Sequence, residues 1–270
     1  MATSKPGFGE ISTLQLMRLI GTPDAPVIID VCLPEDVALD PVRVPTSIAV
    51  PHHDLSCIPA LAAGRDCVVL CQKGKKLSHG AAAHLRAMGL RTEVLAGGMH
   101  AWRDDGLPAI PIANLPDQPV WVTRHRPKID RIACPWLITR FVDPRARFLY
   151  VPPKEVAAVA ENFDAIAFDT VDAPFTHQKD ACTFDALLDH FDLRIPPLDR
   201  LAGIVRAADL GVPEHSPEAA GLLAMSVGLS RQYKDDQAQL SAALPLYDAL
   251  YRWARDGQSE THDWANEVQP

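Results

Sequence analysis

The stretch VVLCQKGKKLSHGAAAHLRAMG, residues 68–89, decides how the first half of this chain is read. A short apolar run ends at Cys71, a loop with three lysines follows, and a helical pattern closed by Gly89 begins. A thiol attacks as its thiolate. A strand-to-helix junction favours that form, because the free N–H groups and dipole of the helix start point at the sulfur. Lys73, Lys75 and Lys76 add positive charge, and Gly74 lets the loop curl through positive φ. The same cradle suits a small oxyanion, with Gln72, Lys73, Gly74, Lys75 and Lys76 as its candidate contacts. Taken alone, such a cysteine is more often a buried strand-end residue before a solvated lysine run.

Outward from this stretch, short apolar runs alternate with helical patterns. VIIDV, TSIAVP, DCVVLC and RTEVLAGG read as strands, whereas EISTLQLMRLIG reads as a helix with Ser12 or Thr13 as its cap and Gly21 as its stop. Continuously apolar strands between helices imply a parallel sheet covered on both faces. LPAIPIANLPDQP, with four prolines in 13 residues, reads as a linker. The expected layout is an α/β domain over residues 1–110, a proline-rich linker over 111–119, and an α+β, mostly helical domain over 120–270.

The 270-residue chain suits two domains, and its net charge of −8 disfavours nucleic acid and anionic membrane as partners. No run is long and apolar enough to span a bilayer, and no leader pattern is seen. The six scattered cysteines (Cys32, Cys57, Cys67, Cys71, Cys134 and Cys182) read as reduced thiols of a cytoplasmic protein.

Three blocks in order, VIIDV, VVLCQKGKKLS and LAGGMHAWRDDGLP, make the first half resemble the rhodanese family of single-domain sulfurtransferases. The last block carries Gly97, Gly98, Trp102, Gly106, Leu107 and Pro108. The resemblance implies that Cys71 takes a sulfane sulfur as a persulfide and passes it to an acceptor thiol, with a small sulfur-containing anion as donor. Asp30, at the end of its strand, is expected to order the active-site side of the sheet, with a turn carboxylate the equal alternative. Cys32 reads as a second thiol near the loop or as a buried filler. Departures from the family pattern are Gln72 for arginine, Lys76 for arginine or threonine, and Leu77 for serine. Leu77 removes a hydroxyl from the vicinity of the sulfur, and it argues against the related phosphatase loop, which would carry arginine there.

In the second half, VWVTR, RFLYVP and AIAFD read as strands, and PKIDRIACPWLITRFVD as one helix from Pro127, kinked at Pro135. On such a helix Lys128 and Arg131 share a face that can bind an oxyanion, unless it is simply a solvated face. In FTHQKDACTFDALLDHF, His177, Cys182 and Asp185, with the later Asp209, form a candidate transition-metal set, although their spacing fits no standard zinc pattern. Four segments, WVTRHRPKIDRIACPWLITRF, FTHQKDACTFDALLDHF, LAGIVRAADL and YDALYRWA, resemble the C-terminal domain of ChrB-type chromate resistance proteins. That resemblance implies a link to chromate resistance, enzymatic or regulatory. It marks Lys128, Asp130, Arg131, Cys134, His177, Cys182, Asp185 and Asp209 without assigning them roles. Two functions follow: a persulfide-carrying sulfurtransferase, or a non-enzymatic chromate- or metal-sensing protein with a degenerate first domain.

Overall fold

A computed structural model describes residues 6–178 and 180–260. The chain opens with β1 (Glu10–Ile11) and α1 (Thr13–Leu19). Ser12 caps α1 through a reciprocal pair with Gln15, side chain to backbone in both directions. Then come β2 (Val27–Asp30), α2 (Pro34–Leu39), β3 (Val42–Arg43), β4 (Ile48–Ala49) and α3 (Ile58–Ala62). The half closes with β5 (Cys67–Leu70), α4 (Lys76–Ala87), β6 (Thr92–Leu95), α5 (Gly98–Asp104) and β7 (Ile110–Pro111). Five strands form one parallel sheet in the order β1-β6-β5-β2-β4. All four residues of β2 and of β5 are buried, as strands covered on both faces must be. β5 lies at the centre, so its C-terminal end, where Cys71 follows, is surrounded by the loops of its neighbours.

Residues 111–119 are ordered rather than slack. β7 pairs antiparallel with β3, a single 3-10 turn spans Ile112–Asn114, and the Asn114 amide donates to the His190 carbonyl.

The second half places β8 (Val120–Arg124) between β9 (Arg147–Val151) and β10 (Ile166–Ala167) in a parallel three-stranded sheet. Around it pack α6 (Asp130–Leu137), α7 (Val156–Asn162), α8 (Thr183–His190), α9 (Pro196–Asp209), α10 (Pro217–Gln232) and α11 (Asp236–Asp256). The helix expected from Pro127 begins three residues later, at Asp130, because Ile129 takes φ 33° and breaks the run. It continues as a π-helix over Ile138–Val142. Pro135 lacks the N–H that would bond the Arg131 carbonyl four residues back. The Tyr150 hydroxyl donates to that carbonyl instead, at 3.0 Å, so the proline is tolerated inside the helix.

One apolar core runs through both halves, from Leu16, Ile20 and Trp102 to Trp121, Trp136, Phe141 and Tyr251. Gly21 sits at φ 82° against this seam, where an added Cβ would come within 2.4 Å of the Phe141 ring and 2.8 Å of Tyr251. Among the described residues no helix is long and apolar enough to cross a membrane.

Candidate functional site

Cys71 follows β5 directly and is only 4% exposed. Its loop is docked on the turn that starts α5. The Met99 and His100 amides donate to the carbonyls of Cys71 and Gln72, at 3.1 and 3.0 Å. The Gly97–Gly98 pair makes that approach possible. A Cβ on Gly98 would lie 2.0 Å from the Cys71 carbonyl oxygen, and one on Gly74 would lie 2.6 Å from the Gly98 nitrogen. Two glycine-bearing segments distant in sequence thus lock together to hold one thiol.

Burial works against the Cys71 thiolate. The Ser78 hydroxyl, 3.2 Å from the sulfur, and the backbone N–H groups of Lys75, Ser78 and Lys73 outweigh it, and the thiol falls below its ordinary value. Lys73, Lys75 and Lys76 are exposed at the rim. The hydroxyl thought missing because of Leu77 is therefore supplied one residue later. Ser78, in the first turn of α4 and fully buried, was the residue sequence reasoning passed over. Its signal was available: a hydroxyl directly after the loop. Leu77 packs instead against the apolar cluster built on Val69, Ala81 and Leu85.

Asp30 is buried, and its Oδ1 accepts the Cys32 backbone N–H at 2.9 Å. It orders the turn after β2 and has no hydrogen bond to Cys71 among the described residues. That is the turn role. The Cys32 thiol faces the Gln72 side chain at 4.0 Å and is pushed well up by burial and by Asp30. Beside it lies a cavity of about 520 Å³ lined by Asp30, Cys32, Leu33, Val37, Val50 and His53, among others.

A second cluster lies in the other half. Asp130, at the first residue of α6, and Asp209, at the last residue of α9, converge with His177 and Asp169 from the segment between β10 and α8. His177 Nε2 is 3.3 Å from Asp130 Oδ2, 3.1 Å from Asp169 Oδ1 and 3.1 Å from Asp209 Oδ2. The hydrogen bond to Asp130, with the charges of Asp209 and Asp169, raises the imidazole to about 9 despite its burial. Burial, then the charge of Asp130, raises Asp209 to about 6. Asp169 is held by Arg124 and Arg131, at 3.2 and 3.1 Å, and by the Thr183 hydroxyl.

Four expectations change here. Cys182 and Asp185 do not join His177 and Asp209. Cys182 caps α8 in a reciprocal pair with Asp185, its thiol donating to that carboxylate at 3.4 Å. Asp185 is 1% exposed and taken by Arg206 and Arg194, at 2.9 and 3.3 Å. Arg131 does not line an anion-binding face. Its guanidinium turns inward to Asp169 and to the carbonyls of Arg124 and His125. Lys128 is exposed but lies before the helix start, so the two do not share a helical face.

Comparison with known proteins bears on the two halves separately. Residues 121–254 match the family of the ChrB C-terminal domain. Protein ChrB of Cupriavidus metallidurans is 36% identical over 132 residues, which is 48% of this chain and 39% of that protein. The chain therefore spans well under half of this relative's length. Among solved structures, a thiosulfate sulfurtransferase from Pseudomonas aeruginosa is 22% identical with TM-score 0.33, over 42% of this chain and 23% of that one. A rhodanese-related protein from Thermoplasma volcanium is 24% identical with TM-score 0.33, over 37% of this chain and 96% of that one. The first half is an α/β domain with a five-stranded parallel sheet and a cysteine loop docked at the end of its central strand. The chain joins this fold to a region, residues 121–254, that is similar to the ChrB C-terminal domain.

Proposed function

We propose that the first domain is a persulfide-carrying sulfurtransferase serving chromate resistance. The observation that carries this reading is the Cys71 thiol, held below its ordinary value by the Ser78 hydroxyl and by the backbone N–H groups of Lys75, Ser78 and Lys73. With thiosulfate as donor, the Cys71 thiolate attacks the outer, sulfane sulfur. The S–S bond of the donor breaks, sulfite leaves with the bonding pair, and Cys71 becomes a persulfide. An acceptor thiolate then attacks the terminal sulfur, takes it as its own persulfide and returns Cys71 as thiolate. The loop N–H groups and the rim lysines neutralise the departing anion. The cavity beside Cys32 is the proposed seat of the acceptor.

Incubation with thiosulfate followed by intact-mass measurement tests this. The expected result is a gain of one sulfur that is absent in Cys71→Ala and is discharged by a small thiol. A folded protein that gains no sulfur from thiosulfate, a thiosulfonate or a polysulfide supports the second reading, a non-enzymatic sensing domain. The burial of Cys71 favours that second reading.

A further inference from the structure

The cluster around His177 has a geometry that hydrogen bonds do not satisfy. One imidazole nitrogen carries at most one proton, and that proton points along one line in the ring plane. Three carboxylates nonetheless approach His177 Nε2 within 3.1–3.3 Å. Asp169 has Arg124 and Arg131 to balance it. Asp130 and Asp209 have no basic partner but His177 among the described residues. Asp130 is 1% exposed, and one of its oxygens, Oδ2, takes the Thr183 amide. Its other oxygen, Oδ1, is buried and has no hydrogen-bond partner among the described residues. A buried carboxylate oxygen left unpaired keeps its full desolvation penalty, so an atom in that state asks for a ligand.

We infer that Asp130, His177 and Asp209 form a binding site for a divalent first-row transition metal ion. One donor atom from each lies within 4.8 Å of the others, the spacing from which they close around a single ion. An ion on Nε2 attracts every neighbouring carboxylate radially, which one N–H cannot do. It also supplies the positive charge that Asp130 and Asp209 lack. Thr183, through the Asp130 and Asp169 carboxylates, and the Arg124 and Arg131 guanidiniums hold the surrounding groups in place, the role outer groups play in metal sites. Imidazole with carboxylates suits Mn²⁺, Fe²⁺ or Zn²⁺ rather than Cu⁺, which selects thiolate. No thiolate belongs to the set, since the Cys182 thiol is engaged by Asp185. His177 is 36% and Asp209 17% exposed on their side chains, so one side of the ion faces solvent and coordination positions stay open to water or an anion.

The test uses the full chain, freed of any affinity tag and stripped with a chelator. Titration with Mn²⁺, Co²⁺ and Zn²⁺, followed by calorimetry and elemental analysis, is expected to give one ion per chain. His177→Gln and Asp209→Asn are expected to weaken binding by at least about tenfold while circular dichroism stays that of the parent. Cobalt tells the donors apart without any variant. Weak visible bands with no thiolate charge-transfer band in the near ultraviolet support the carboxylate–imidazole set. A strong charge-transfer band, which marks a cysteine ligand, overturns it. So does a folded parent that takes up none of the three ions, or uptake that is unchanged in both variants.

Discussion

Replacing Ser78 with alanine removes one hydroxyl from a fully buried position and adds no bulk, so its effect reads directly on Cys71. A hydrogen bond to an ionised group contributes roughly 1.5–3 kcal/mol. The same hydroxyl also lies 3.1 Å from the Lys75 carbonyl, and turning toward the sulfur forfeits that neutral bond, worth about 1 kcal/mol. The difference is roughly 0.5–2 kcal/mol in favour of the thiolate. Ser78→Ala therefore raises the Cys71 thiol, with each tenfold loss of thiolate corresponding to about 1.36 kcal/mol. Below the thiol's midpoint, the thiolate fraction then falls by roughly 2- to 30-fold. The assay is the rate of iodoacetamide alkylation at Cys71 against pH, followed by peptide mass in a Cys57→Ser background, because Cys57 is exposed and would react. A thiol whose folded value is lowered contributes stability that is complete above the ordinary thiol value. It loses that gain as pH falls through the folded one. Ser78→Ala is therefore also expected to lose stability chiefly at alkaline pH. An unshifted alkylation midpoint in a folded variant would refute the claim that Ser78 tunes this thiol.

Three further outcomes are expected. Gly98→Ala forces a Cβ to 2.0 Å from the Cys71 carbonyl at a residue with φ 60°. It should cost at least about 2 kcal/mol in chemical denaturation and abolish sulfur uptake. Tyr150→Phe leaves the Arg131 carbonyl without the bond that stands in for Pro135, and should cost about 1–3 kcal/mol in the same measurement. Asp185→Asn breaks a buried carboxylate's pairing with Arg206 and Arg194 and should destabilise by at least about 2 kcal/mol. Its metal stoichiometry should stay that of the parent, since Asp185 lies outside the His177 cluster.

What could be read from residues alone was local. The strand into Cys71, the glycine of its loop and the following helix are neighbours in sequence, so their joint meaning survived translation into three dimensions. The Gly97–Gly98 pair was readable only through family likeness, and its reason, seating the Cys71 loop, needed the fold. Ser78 was missed because its hydroxyl reaches back across the loop to a sulfur seven residues earlier. The metal-ligand set was half misread for a different reason. Cys182 and Asp185 look like partners of His177 because they are close in sequence, yet the N-terminal turn of α8 commits them to each other. Asp130 and Asp209 come from helix ends far away along the chain, and only packing brings them to one imidazole. The basic face expected at Lys128 and Arg131 failed on a single backbone angle, the positive φ of Ile129, which delays the helix and turns Arg131 inward.

The aromatic seam at Gly21 bears on how this chain melts. Ile20 and Trp102 belong to the same apolar cluster as Phe141 and Tyr251, and Arg255 near the end of α11 donates to the Arg18 carbonyl in α1. The two halves share this one apolar cluster, so neither has a core boundary at which unfolding can stop. Calorimetry should therefore show one endotherm, with equal calorimetric and van't Hoff enthalpies, rather than two. Each half released by cleavage after Pro119 should expose its share of the seam and bind a hydrophobic dye that the intact chain excludes. The Cys71 thiol and the carboxylate–histidine cluster would then share one global stability, and a ligand that tightens either site would protect both.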